Sequence, residues 1–205
     1  MPLYVVLLVL PDSIEIKLDE LRHGYAQKMN YIKIPHISLF PFSAEADIKK
    51  IVENKLFKIA ESTHPITVLL REVSFFEAPW NVAYVSVSKN QEFIKLHRAV
   101  FDAIRSCTEK LDWAKIYEPD SIIPHVTIGE AIPPDILKVM KKELSGRALN
   151  VDVKITSFAI LGQDENRQWK IIKTFQFNKS KIPLNKGISN SLLGNIYLDS
   201  RSGRE

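Results

Sequence analysis

Ile34-Pro35-His36-Ile37-Ser38-Leu39 and Ile123-Pro124-His125-Val126-Thr127-Ile128 are the two stretches whose reading decides the fold. They agree in residue class at every position. Of the five histidines, His36 and His125 alone follow Ile-Pro and have a hydroxyl residue two positions on; after His23, His64 and His97 that place holds Tyr25, Ile66 and Ala99. Proline biases the residue before it toward extended backbone, and apolar and polar residues alternating with period two mark a half-buried strand. On such a strand His36 and Ser38 share one face, about 6.6 Å apart, while Ile37 and Leu39 enter a core. His125 and Thr127 repeat the arrangement.

Working outward, each motif is the third element of a similar series. The apolar run Leu3 to Leu10 reads as a buried strand ending at Pro11. Asp12 and Glu15 form a capping pair for a helix with Ile14, Leu18, Leu21 and Tyr25 on its apolar face. The motif strand, 34 to 42, leads to a helix carrying Ile48, Ile51, Val52 and Ile59, closed near His64 and Pro65, and then to a strand at 66 to 77. Ala78-Pro79-Trp80-Asn81 has turn chemistry and opens on a strand at 82 to 88. Next come a long helix marked by Phe93, Leu96, Val100, Ile104, Cys107 and Leu111, the second motif strand at 122 to 129, a helix with Ile136, Leu137, Met140 and Leu144, and a strand at 151 to 161. The order strand, helix, short strand, helix, strand therefore occurs twice, over about 1-78 and 82-162, with an extra strand at 169-177 after the polar turn Asp164 to Arg167. An internal duplication within one α+β domain, 1-177, is the simplest account.

The chain has 205 residues, 45% hydrophobic, with 28 Lys+Arg against 24 Asp+Glu for a net +4. The tail 178-205, rich in Asn, Ser, Lys and Gly, carries +3 of that and reads as irregular. The remainder is close to neutral, which argues against a broad nucleic-acid-binding face and for a small, locally charged substrate. A single cysteine, Cys107, excludes an intrachain disulfide and reads as an inert thiol on a helix face. The Leu3 to Leu10 run lacks the basic flank and cleavage site of a signal sequence, and no other stretch approaches spanning length, so a cytoplasmic protein without a membrane partner is expected.

Two imidazoles with ordinary pKa near ~6.5 can divide acid and base work at neutral pH, each transfer being worth roughly 10²- to 10⁴-fold in rate. Phosphate ester chemistry suits the pair, because nucleophile and leaving group occupy opposite sides of phosphorus. Ser38 and Thr127 would hydrogen-bond the non-bridging oxygens. Phe42, continuing on the His36 face, and Trp80, at a turn tip, are candidates for stacking on a base; Phe40, Tyr84 and Trp169 read as structural, and His97 as a packing residue. Neither a His-Glu-x-x-His pair nor a phosphate-cradling Gly-rich loop occurs, which disfavours a zinc hydrolase or an NTPase; Ser38 has no nucleophile-elbow context.

The paired His-x-Ser/Thr motifs resemble those of the two-histidine phosphoesterase superfamily, above all its 2'-5' RNA ligase and RNA cyclic phosphodiesterase branch, over roughly residues 3 to 177. The resemblance implies a two-lobed, pseudo-twofold α+β fold with antiparallel sheets flanking a central cleft and helices outside. It implies catalysis by His36, as acid to the leaving oxygen, and His125, as base on water, without metal or other cofactor. It also implies opening of 2',3'-cyclic phosphates of nucleotides or RNA ends to 2'-phosphates; a monomer is expected. A 2'-5' oligonucleotide phosphodiesterase or RNA ligase-like activity, and a non-catalytic nucleotide- or RNA-binding module, are the alternatives. One residue departs from the pattern: many ligase-like members carry a basic residue five positions after the second histidine, where this chain has Glu130. Lys33, Arg71, Arg147 and Arg167 are other sources of positive charge, each read as a surface cation.

Overall fold

The computed structural model describes residues 1–163 and 168–178; the turn Asp164 to Arg167 and the tail from residue 179 onward lie outside the described residues. The chain forms β1 (Leu3–Val9), α1 (Asp12–Arg22), β2 (His36–Ser43), α2 (Ala46–Ser62), β3 (Ile66–Phe76), β4 (Val82–Val87), α3 (Gln91–Arg105), β5 (His125–Gly129), α4 (Pro134–Leu144), β6 (Ala148–Ile155), β7 (Ser157–Gln163) and β8 (Trp169–Gln176). Short 3-10 helices at Ala26–Lys28 and Asp112–Tyr117 precede the two motif strands. The fold is α+β, with two four-stranded antiparallel sheets in the orders β2-β1-β7-β8 and β5-β4-β3-β6. In both sheets the motif strand is at the edge, beside the strand that opens its half of the chain. Among the described residues, no helix is long and apolar enough to cross a membrane.

Each sheet draws strands from both halves of the chain. β3 is joined to β4 through the tight turn at Glu77 to Asn81, where Trp80 and Asn81 N–H groups donate to the Glu77 carbonyl at 3.0 and 3.2 Å. An antiparallel neighbour so close in sequence pairs with β4, which places β3 in the second sheet. The predicted single strand at 151 to 161 is two strands. Thr156 separates them, β6 pairing with β3 and β7 with β1. No Gly or Pro marks that switch in the sequence.

Local chemistry departs from expectation in two helices. Asn90 caps α3, its side chain accepting from the Phe93 N–H at 2.8 Å. At α1 the Asp12 and Glu15 pair does not cap; the N-cap residue is Pro11, and Glu15 turns instead to Arg22. In α2 the buried stripe is Val52, Leu56 and Ala60, a turn of the helix that leaves Ile51 exposed. The main core lies between helices and sheets, and a smaller cluster of Leu7, Ala159 and Leu161 with Val5, Val9, Ile32, Ile34 and Trp169 lies on the opposite face of the first sheet.

Candidate active site

Proline shapes the approach to each histidine. Pro35 and Pro124 offer no N–H, but their carbonyls accept from Leu10 N–H at 3.0 Å and Val87 N–H at 3.1 Å, holding both motif strands at the same point. The carbonyl before each proline is then free to meet the ring that follows. His36 Nδ1 donates to the Ile34 carbonyl at 2.6 Å, and His125 Nδ1 donates to the Ile123 carbonyl at 2.8 Å. A carbonyl can only accept, so both neutral rings carry the proton on Nδ1 and present Nε2 as the exchangeable atom. Beneath His125, the rings of Phe76 and Tyr84 pack edge to face with it, at 5.2 and 5.3 Å between centroids, and fix its plane.

Each motif strand carries a bulge three residues after its histidine. β2 gains Leu39 opposite the Val6/Leu7 step of β1, and β5 gains Ile128 opposite the Ala83/Tyr84 step of β4. An extra residue sends all later side chains to the other face. His36 and Ser38 therefore face the cleft, whereas Phe40 and Phe42 are turned into the core. Phe42 is 1% exposed and packs on Tyr4, so the stacking role considered for it from strict alternation is corrected.

A bulge also frees a carbonyl from its ladder, and the two are satisfied in matching ways. His97 of α3 donates from Nε2 to the Leu39 carbonyl at 3.1 Å. Arg22 of α1 donates from Nε to the Ile128 carbonyl at 2.8 Å, and its guanidinium lies 4.1 Å from the centre of the Tyr31 ring. Both side chains are 1% exposed. Arg22 is held by Glu15 and Asp19 at 2.7 and 2.9 Å. Each half of the chain thus supplies a buried donor that grips the motif strand of the other half. His97 has more than the packing role expected for it, and Arg22 has no sequence signal, since its partner is remote along the chain.

These constraints bring His36, Ser38, His125 and Thr127 to one cleft of about 560 Å³. β2 and β5 are in contact, and the charge on one imidazole is felt by the other. Burial lowers the pKa of both histidines; the bond to Ile34 or Ile123 opposes this, and at His36 the His125 charge adds to the lowering. Among the described residues, no protein group bonds the Ser38 or Thr127 hydroxyl, which leaves both as donors to a ligand. Trp80, 56% exposed, also lines the cleft.

The remaining walls are more aromatic than the sequence reading anticipated. Tyr31, Phe76, Trp113, Tyr117 and Trp169 line the cleft with the exposed apolar side chains Ile116 and Ile123. Trp169 belongs to the wall, correcting its structural assignment, while Tyr84 is buried against Phe76 at 4.2 Å between centroids. Trp113, Ile116 and Tyr117 come from the 3-10 helix before β5, where three-residue periodicity looks like neither strand nor long helix. Glu130 lies on the wall, its N–H donating to the Asn30 carbonyl at 2.8 Å and its carbonyl accepting from Asn30 at 3.0 Å. Burial raises its pKa. Lys33, Arg71 and Arg147 do not line the cleft; Arg167 lies outside the described residues. Among the described residues, no group of three or more metal-ligating side chains comes together.

The model of the 2'-5' RNA ligase superfamily matches residues 10–167. The chain belongs to that superfamily. A member from Geobacillus kaustophilus, named as a phosphoesterase, is 25% identical over 174 residues, 84% of this chain and 94% of its own. A similarly named protein of Oceanobacillus iheyensis is 27% identical over 165 residues, 80% of this chain and 91% of its own. In fold the superfamily member resembles TT0787 of Thermus thermophilus, with a TM-score of 0.69 at 13% identity, covering 88% of this chain and 100% of that one. Escherichia coli LigT, crystallised with ATP, gives 0.65 at 12% identity over 87% and 99%.

Proposed function

We propose that the chain is a metal-independent phosphoesterase that opens 2',3'-cyclic phosphates of nucleotides to 2'-phosphates. The observation that carries this reading is the convergence of His36 and His125 on one cleft with the same tautomer imposed on each ring. With Nδ1 committed to a carbonyl, each ring exchanges protons through Nε2 alone. The neutral ring takes a proton there and the protonated ring gives one. His125 Nε2 removes a proton from water as its oxygen bonds phosphorus. His36 Nε2–H gives its proton to the departing 3'-oxygen as the P–O3' bond breaks, leaving the phosphate on the 2'-oxygen. The two rings have then exchanged protonation states, and solvent restores them. Ser38 and Thr127 donate to the non-bridging oxygens, where negative charge grows in the transition state. A cleft of about 560 Å³ suits one nucleotide, with the indole of Trp80 available to a base.

The reading is tested by incubating purified protein and chelator with 2',3'-cyclic mononucleotides, a cyclic-phosphate-ended oligonucleotide and a 2'-5' linked dinucleotide, and assigning the products by phosphorus NMR. Accumulation of nucleoside 2'-phosphate, undiminished by chelator, is expected. Loss of turnover with chelator would overturn the metal-free mechanism. Tight nucleotide binding without product would favour a non-catalytic module.

A further inference from the structure

We propose that Glu130 restricts the cleft to substrates with a single phosphate, a nucleoside cyclic phosphate with no second phosphate group, and turns away polyphosphates and RNA chains. This rests on the reading of the cleft as a cyclic phosphodiesterase site and narrows its substrate. Among the described residues, the ionisable side chains lining the cleft are His36, His125, Glu130, Tyr31 and Tyr117, with no lysine or arginine. Arg22 lies over the Tyr31 ring, but it is 1% exposed and already paired with Glu15 and Asp19, so its charge is neutralised within the protein.

A phosphodiester brings one negative charge, which a single protonated histidine balances. Among the described residues a second phosphate would meet no further cation at the cleft wall, and it would share that wall with the Glu130 carboxylate. The Glu130 side chain is exposed at this wall, so the repulsion acts through solvent and weakens with added salt. Glu130 is also anchored: its paired hydrogen bonds with Asn30 keep its backbone in place at the wall. No ion pair engages its carboxylate among the described residues, leaving its charge available to act on a ligand. The same apolar surfaces favour an uncharged nucleoside.

The test compares a nucleoside 2',3'-cyclic phosphate bearing a free 5'-hydroxyl with its 5'-phosphorylated form, using wild type, Glu130→Gln and Glu130→Arg. Wild type should favour the 5'-hydroxyl form by about tenfold in kcat/KM, chiefly through KM. The preference should shrink in Glu130→Gln and vanish or reverse in Glu130→Arg. Equal use of both substrates by wild type, or a ratio unmoved by Glu130→Arg, would overturn the proposal. Calorimetry with a nucleoside 2'-monophosphate and the corresponding 2',5'-bisphosphate gives a second readout that needs no turnover. Selective binding without ring opening would sustain charge selection while refuting the phosphodiesterase reading; equal binding in all three proteins would refute charge selection alone.

Discussion

Raising the pH should silence the site in a way set by its two half-buried imidazoles. Burial places both His36 and His125 below the ordinary histidine value of ~6.5, and their mutual charge acts in the same direction at His36. The active form has one ring protonated and one neutral. Above both pKa values that form is a minor species, and its population falls tenfold for every unit of pH. The lower pKa values therefore move the decline to more acidic pH, so that the whole interval from pH 6.5 to 8.5 lies on the falling limb. Over these two units kcat/KM for a 2',3'-cyclic nucleotide should drop by about 100-fold, since kcat/KM reports the free enzyme. The two apparent pKa values belong to the pair, because each ring's charge affects the other. In kcat the decline should begin at higher pH, because a bound phosphate anion favours the protonated ring. The assay is initial rate against pH at substrate well below KM, with unfolding followed in the same buffers. A kcat/KM that is flat or rising between pH 6.5 and 8.5 would refute the assignment of an essential proton to these histidines.

Removing either hydroxyl should act on the transition state more than on binding: Ser38→Ala or Thr127→Val should lower kcat by about 100-fold with a smaller change in KM, and rates within about twofold of wild type in both would refute their role. Arg22→Ala removes the donor to the Ile128 carbonyl and the partner of Glu15, both in a buried setting. It should cost about 3 kcal/mol in denaturant unfolding, and a loss below about 1 kcal/mol would show that the grip on β5 is dispensable.

Much of the site was legible because its signals are local. The Ile-Pro-His-x-Ser/Thr pattern carries its own backbone instructions, and the repeated order of elements around it indicated a duplicated α+β fold. What escaped depends on residues far apart in sequence or on irregular strand pairing. Period-two alternation placed Phe42 beside His36, but the extra residue at Leu39 turns it into the core. A bulge arises from pairing with β1, which no local pattern in β2 records. Arg22 meets Ile128 across 106 residues, and His97 meets Leu39 across 58, so neither contact leaves a spacing to read. The stretch from Ile155 to Leu161 concealed a change of sheet, since the strand break at Thr156 has no Gly or Pro. Trp113 and Trp169 joined the cleft only through tertiary packing. Glu130 stood out in the sequence as a departure from the family pattern, and its place on the cleft wall gives that departure a physical meaning.

The central claim is that His36 and His125 act together on one phosphate, and the most direct measurement is turnover of a 2',3'-cyclic nucleotide by His36→Ala, His125→Ala and the double variant. Each single substitution should lower kcat/KM by at least about 100-fold. The double variant should lose far less than the product of the two single losses, because the acid and base act as a unit. A single variant that turns over at close to the wild-type rate, with folding intact, would contradict the account.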